Sequence, residues 1–122
     1  MGSEGLLSSA DCIFCKIVAG EIPSEIVHEG RDVIAFRDVN AQAPTHVQVI
    51  PRKHVAAIAD FDASQDAAWL VELIDVANKI ARDEGLDHGY RLVVNNGALA
   101  GQSVHHVHLH VLGGRQLGWP PG

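Results

Sequence analysis

Residues 103–112 read SVHHVHLHVL and hold four of the chain's eight histidines. His106, His108 and His110 recur at every second position, with Val107, Leu109 and Val111 around them. On an extended backbone, side chains two apart share a face and lie about 6.5–7 Å from one another. Three imidazoles therefore line one surface and the aliphatic residues the other. A strand facing only solvent would carry Thr, Lys or Glu, so three imidazoles in register point to chemistry. Two kinds are open. A His-x-His pair can grip a metal, with a third ligand from elsewhere completing an open hydrolytic site. Alternatively, one neutral imidazole is a nucleophile while its neighbours orient it or move protons. The preceding NGALAGQS favours the nucleophile. Gly97 and Gly101 permit close backbone approach, and Gln102 and Ser103 add donors, so the loop can cradle phosphate oxygens.

A second group is Cys12-Ile13-Phe14-Cys15. No βαβ pattern surrounds it, which argues against a thioredoxin-like redox pair. A structural zinc needs four ligands, so two histidines would have to join the two cysteines. Two reduced thiols without metal are the rival reading.

The elements that must position these groups follow from pattern. Cys12–Ala19 predicts a short helix ending at Gly20, with Pro23 preventing continuation. EIVHEG and RDVIAFRDV predict a hairpin turning near 29–32, and THVQVIP another strand stopped by Pro51. The clearest element is a helix from about Ser64 to Glu84. It places Leu70, Leu73, Ile74, Ala77, Ile80 and Ala81 on one face, with Ser64 or Asp62 as N-cap and Gly85 as stop. YRLVVN predicts a strand, NGALAGQS a loop, His106–Leu112 a final strand and GGRQLGWPPG an irregular tail. Strands joined by short loops with one long helix between them define an α+β domain with a mostly antiparallel sheet.

The 122 residues suffice for one domain, and 1–10 read as a disordered lead-in ahead of a domain over 11–122. The net charge of −6 and the lack of any Lys/Arg run argue against nucleic acid or a membrane surface as partner. No apolar run approaches the roughly 18–20 residues of a membrane span, and the start lacks a signal-peptide pattern. A cytoplasmic protein with reduced cysteines is expected.

HVHLHVL fits the pattern His-φ-His-φ-His-φ-φ, with φ apolar. Together with CIFCKIVAGEIPSEIVHE, FRDVNAQAPTHVQVIPRKH and GQSVHHVHLHVLGGRQLGWPPG, it closely resembles the histidine triad (HIT) superfamily, in its nucleotide-binding (HINT) branch. The likeness covers roughly residues 11–122. It implies a five-stranded antiparallel sheet with one long and one short helix, paired as a homodimer. It also implies hydrolysis of purine nucleoside phosphoramidates, releasing AMP or GMP, through a covalent nucleotidyl-histidine intermediate. His108 would be the nucleophile, with His110 at the phosphate, Ser103 at the leaving group, and His46 as a further active-site histidine. Gly101, Gln102 and Ser103 would hold phosphate oxygens, Asp38 the ribose hydroxyls, and Asn95 would lie near phosphate and ribose. Phe14, Ile17, Phe36 and Val39 would line the base cleft, although the same residues read equally as core. Trp119 would reach the partner subunit's site. No cofactor is needed for catalysis, whereas the resemblance implies a structural zinc on Cys12, Cys15, His54 and His106.

Two other activities stay open. One is a dinucleoside polyphosphate hydrolase or nucleotidyl transferase of the same superfamily, and the other a nucleotide-binding adaptor whose catalysis is incidental. The LGWPPG tail favours the phosphoramidase. His105 stands where the family usually has an aromatic residue, and strand alternation turns it away from the other three.

Overall fold

The computed structural model describes residues 9–122. Two helices, α1 (Ile13–Val18) and α2 (Ala63–Asp83), accompany five strands. The strands are β1 (Ile26–Glu29), β2 (Val33–Arg37), β3 (Thr45–Pro51), β4 (Tyr90–Val93) and β5 (Leu109–Gly113). They form one sheet in the order β1-β2-β3-β5-β4 with every pair antiparallel. This is the α+β architecture the sequence predicts. Most of the lead-in expected over 1–10 lies outside the described residues, and Ser9 begins a single 3-10 turn. No described helix is long and apolar enough to cross a membrane.

The sheet is covered on both faces, which explains why β2 and β3 read as nearly continuous apolar runs. Val33, Ala35, Val47, Val49, Leu109 and Val111 meet Trp69, Leu73, Val76, Ala77 and Ile80 of α2. On the opposite face Ile34, Phe36 and Ile50 meet Cys12, Phe14 and Ile17 from the α1 region. Register sets Phe36, Gln48, His110 and Val93 in one row across four strands, on the α1 side. That row is the floor of the site.

Two predictions of local structure need correcting. Strand β5 begins at Leu109 rather than His106. The N–H of Val107 donates to the Val55 carbonyl at 2.8 Å, so the chain before Leu109 is tied to the loop after β3. The alternation of side chains nevertheless holds, because Val107, Leu109 and Val111 all enter the α2 core. The apolar stripe of α2 is also rotated from the predicted one. Leu73, Ala77, Ile80 and Ala81 are buried as expected, but Trp69 and Val76 complete the face while Ile74 is exposed.

Helix α2 starts where Asp62 caps it, accepting the Ser64 N–H at 2.9 Å. It ends before Gly85, whose positive φ of +73° suits a residue without a Cβ. Two acidic side chains of this helix tie down loops. Glu72 accepts the N–H groups of Asp32 and Val33, fixing the β1–β2 turn. Asp66, buried in the first turn, accepts from the Asp62 N–H and from Lys53 Nζ at 2.7 Å. Its pKa is drawn down to about 2, first by the Lys53 bond. Lys53 is thereby fixed beside His54.

Candidate active site and adjoining metal cluster

Local hydrogen bonds set the tautomer of each histidine. His108 Nδ1 lies 2.7 Å from the His106 carbonyl. A carbonyl only accepts, so the proton is on Nδ1 and the lone pair on Nε2. Burial lowers the pKa of His108, partly offset by its bond to His106 and by Asp38. The ring is therefore neutral at pH 7, with one nucleophilic nitrogen. Phe14 packs edge-on against it, centroids 5.3 Å apart.

His46 and His110 form a chain with a defined direction. The Gln42 N–H donates to His46 Nδ1 at 3.0 Å. The single proton of the neutral ring is then on Nε2, 2.9 Å from His110 Nδ1. His110 in turn carries its proton on Nε2. Burial depresses both pKa values, that of His110 to about 4 with the neighbouring His108 and His46 adding to the effect. Asp38 Oδ2 is 3.3 Å from His46 Nε2. Asp38, His46 and His110 offer donor atoms close enough for a metal. However, the Gln42 N–H on Nδ1 keeps the proton on His46 Nε2, where it bonds His110, so the two rings form a hydrogen-bond chain with Asp38 beside it.

The floor carries a residue that the motifs do not reveal. Gln48 Nε2 donates to Asp38 Oδ2 at 2.8 Å, and Asp38 Oδ1 accepts the Asn40 N–H at 2.8 Å. Gln48 Oε1 is buried and has no hydrogen-bond partner among the described residues. Such an atom costs about 1–3 kcal/mol. The visible signal was one polar residue inside the apolar run VQVIP.

The other predicted residues fall into two groups. Phe14, Ile17 and Phe36 are buried together, with Phe14 edge-on to Phe36 at 5.3 Å. Val39, next to Asp38, is fully exposed, and Trp119 is 84% exposed. Asn95 lies beside Gly101, its Nδ2 3.9 Å from where a Cβ on that glycine would be. Gln102 is committed to its own loop: Oε1 accepts the Gly97 N–H, and Nε2 donates to the Ala56 and Val104 carbonyls. The N–H groups of Ala100, Gly101 and Gln102 also turn inward, onto Gly97 and Ala98 carbonyls. The loop is thus a rigid turn, with Gly101 at φ +92° and Ser103 exposed after it. His105 is exposed, in keeping with its expected position out of register.

Cys12, Cys15, His54 and His106 converge behind His108. His106 Nδ1 lies 3.3 Å from Cys12 Sγ, 3.5 Å from Cys15 Sγ and 3.3 Å from His54 Nδ1, while Cys15 Sγ is 3.3 Å from His54 Nδ1. The edges of a tetrahedral zinc site with two sulfurs and two nitrogens run about 3.3–3.8 Å, given bond lengths near 2.0–2.3 Å. His106 Nε2 donates to the Pro51 carbonyl at 2.8 Å, so Nδ1 presents a lone pair to the cluster. Burial holds His106 at about 4, and burial beside Cys12 pushes the Cys15 thiol up to about 12. Alone, Cys15 would be a neutral thiol against the neutral His106 ring. A divalent cation would deprotonate the thiols and satisfy all four. The donor set fits zinc.

An antiparallel α+β sheet that carries buried His106 and His108 and half-buried His110 on HVHLHVL defines a class of histidine-based site. The HIT domain model matches residues 19–117, and the chain belongs to the HIT family. A HIT family hydrolase from Legionella pneumophila Philadelphia 1 has the same fold, with TM-score 0.88 and 51% identity over 91% of this chain and 99% of that one. A histidine triad nucleotide-binding protein from Candida albicans superposes with TM-score 0.77 at 34% identity, covering 89% of this chain and 82% of that one. A 14 kDa zinc-binding protein of Zea mays is 45% identical over 117 residues, 95% of this chain and 91% of its own.

Proposed function

We propose that this chain is a purine nucleoside phosphoramidase that releases AMP or GMP from P–N conjugates through a nucleotidyl-His108 intermediate. The observation that carries this reading is the His108 ring, locked by the His106 carbonyl with its Nε2 lone pair free and its charge suppressed by burial. His108 Nε2 attacks phosphorus, a P–N(imidazole) bond forms, and the substrate P–N bond breaks. The departing amine takes a proton, with Ser103 and His110 as donors. Water then attacks phosphorus and the imidazole leaves, restoring the enzyme. His110 Nε2–H faces the developing charge because His46 occupies its other nitrogen. Asp38 takes the ribose hydroxyls, and Phe14, Ile17 and Phe36 hold the base. Since Gln102 is spent on the loop, Ser103 and backbone beyond it hold phosphate oxygens. The names of the Legionella and Candida proteins support hydrolysis and nucleotide binding.

Zinc on Cys12, Cys15, His54 and His106 would be structural. Bound there, it would supply charge to hold two thiolates and fix His106, whose carbonyl orients His108. The geometry of the four donors and the name of the maize protein support it. A homodimer is supported by β4, which has a neighbour on one side only, and by exposed Val71 and Ile74 on α2. Trp119 would then meet the partner's cleft.

His108→Ala should abolish turnover of an adenosine phosphoramidate while leaving AMP affinity within a few fold. Wild-type enzyme quenched during turnover should gain the mass of one nucleotidyl group on His108. Undiminished hydrolysis by the variant would overturn the mechanism. A side-by-side assay with a diadenosine polyphosphate separates the phosphoramidase from the polyphosphate hydrolase.

A further inference from the structure

The proposed reaction leaves one buried polar side chain of the cleft floor unused. Gln48 lies between Phe36 and His110 in the cross-strand row, 9% exposed, with Nε2 on Asp38 and Oε1 unpartnered. Its amide orientation is fixed, because the reverse would aim an oxygen at the Asp38 carboxylate. An apolar side chain of equal length would remove the buried unpartnered oxygen. What the amide adds is therefore the Nε2–H donor.

We infer that Gln48 is a positioning residue for a vicinal diol, acting through Asp38, and that it makes the site select ribonucleotides over 2′-deoxyribonucleotides. Each carboxylate oxygen has two acceptor positions. The Asn40 N–H fills one on Oδ1, and Gln48 Nε2 fills one on Oδ2. One position stays free on each oxygen, the number that two neighbouring hydroxyls require. His46 Nε2 is 3.3 Å from Oδ2, but its single proton is directed to His110 at 2.9 Å. Without the Gln48 donor, both positions on Oδ2 would be open, and nothing would hold the carboxylate against the pull of the His46 proton. The carboxylate would then turn toward His46 and lose its bidentate presentation.

This inference rests on the reading that Asp38 binds ribose, and the test separates the two. The ratio of kcat/KM for an adenosine phosphoramidate to that for its 2′-deoxy counterpart is measured in wild type, Gln48→Met, Gln48→Leu and Asp38→Asn. Thermal melting identifies whichever Gln48 variant keeps the wild-type fold. The ratio should fall about tenfold in the folded Gln48 variants, as expected for losing one hydrogen bond to a charged group. The change should appear in KM for the ribonucleotide more than in kcat. A wild-type ratio in both Gln48 variants, with the ratio lost in Asp38→Asn, would overturn the inference and leave the ribose reading standing. A ratio near one in the wild type would overturn both.

Discussion

At the scale of single residues, function rests on where protons are placed. Carbonyl and amide partners from the backbone assign the tautomer of His46, His106 and His108, and burial keeps the rings neutral. This has a measurable cost in acid. The unfolded chain protonates each histidine near 6.5, whereas folded His46 is held below that value and His110 near 4. The unfolded state thus binds more protons throughout that interval. Stability is complete above about pH 6.5 and is lost as the pH falls toward about 4. The urea midpoint should decline steadily from about pH 7 to about pH 4.5, and a flat profile would contradict neutral buried rings. The sequence made the triad legible because its spacing and residue types are rare together. Gln48 and Asp66 were not legible, because a polar residue looks solvated until the neighbours that cover it are known.

At the scale of elements, the site is a junction of four segments: α1, the β2–β3 region, the loop after β3 and the approach to β5. Cys12 caps α1 and Cys15 lies in its first turn, where the Cys15 N–H donates to Cys12 Sγ at 3.3 Å. A metal at the cluster therefore fixes the helix that carries Phe14. Protein purified without a histidine tag should contain about one zinc per chain. Cys15→Ser and His54→Ala should lose it and melt at lower temperature. Metal-free wild type of full stability would end the zinc reading. Alternation correctly assigned the strand faces, and pattern placed most boundaries. They failed at the start of β5, because alternation says which way a side chain turns but not which strand its backbone bonds. The rotation of the α2 stripe has a similar origin: Trp69 and Val76 compete with Leu70 and Ile74 at nearly the same period, and the packing of the helix on the sheet, which periodicity does not specify, selects between them.

At the scale of the molecule, one sheet serves two cores, and the proposed catalytic residues lie on the thinner side, where α1 leaves Asp38 and His110 partly open. The outer face of α2 has Val71 69% and Ile74 42% exposed. If these residues pack in a homodimer, Val71→Glu with Ile74→Glu should shift sedimentation from dimer to monomer. It should also weaken nucleotide binding if Trp119 acts across the interface. An unchanged dimer would place the interface elsewhere. The fold was legible because a 122-residue chain has few ways to pair five strands around one helix, whereas assembly depends on a surface whose apolar residues look like ordinary scatter. The Gln42–His46–His110 chain has a further consequence. It ends on a backbone amide, which does not ionise under these conditions, so it is a cul-de-sac for protons. In the proposed reaction, a proton that His110 gives up is not replenished along this chain and would return from the cleft. Under that mechanism each turnover would be re-armed by the same solvent that completes the hydrolysis, so a product that stays bound would block chemistry twice, by filling the site and by keeping water from His110.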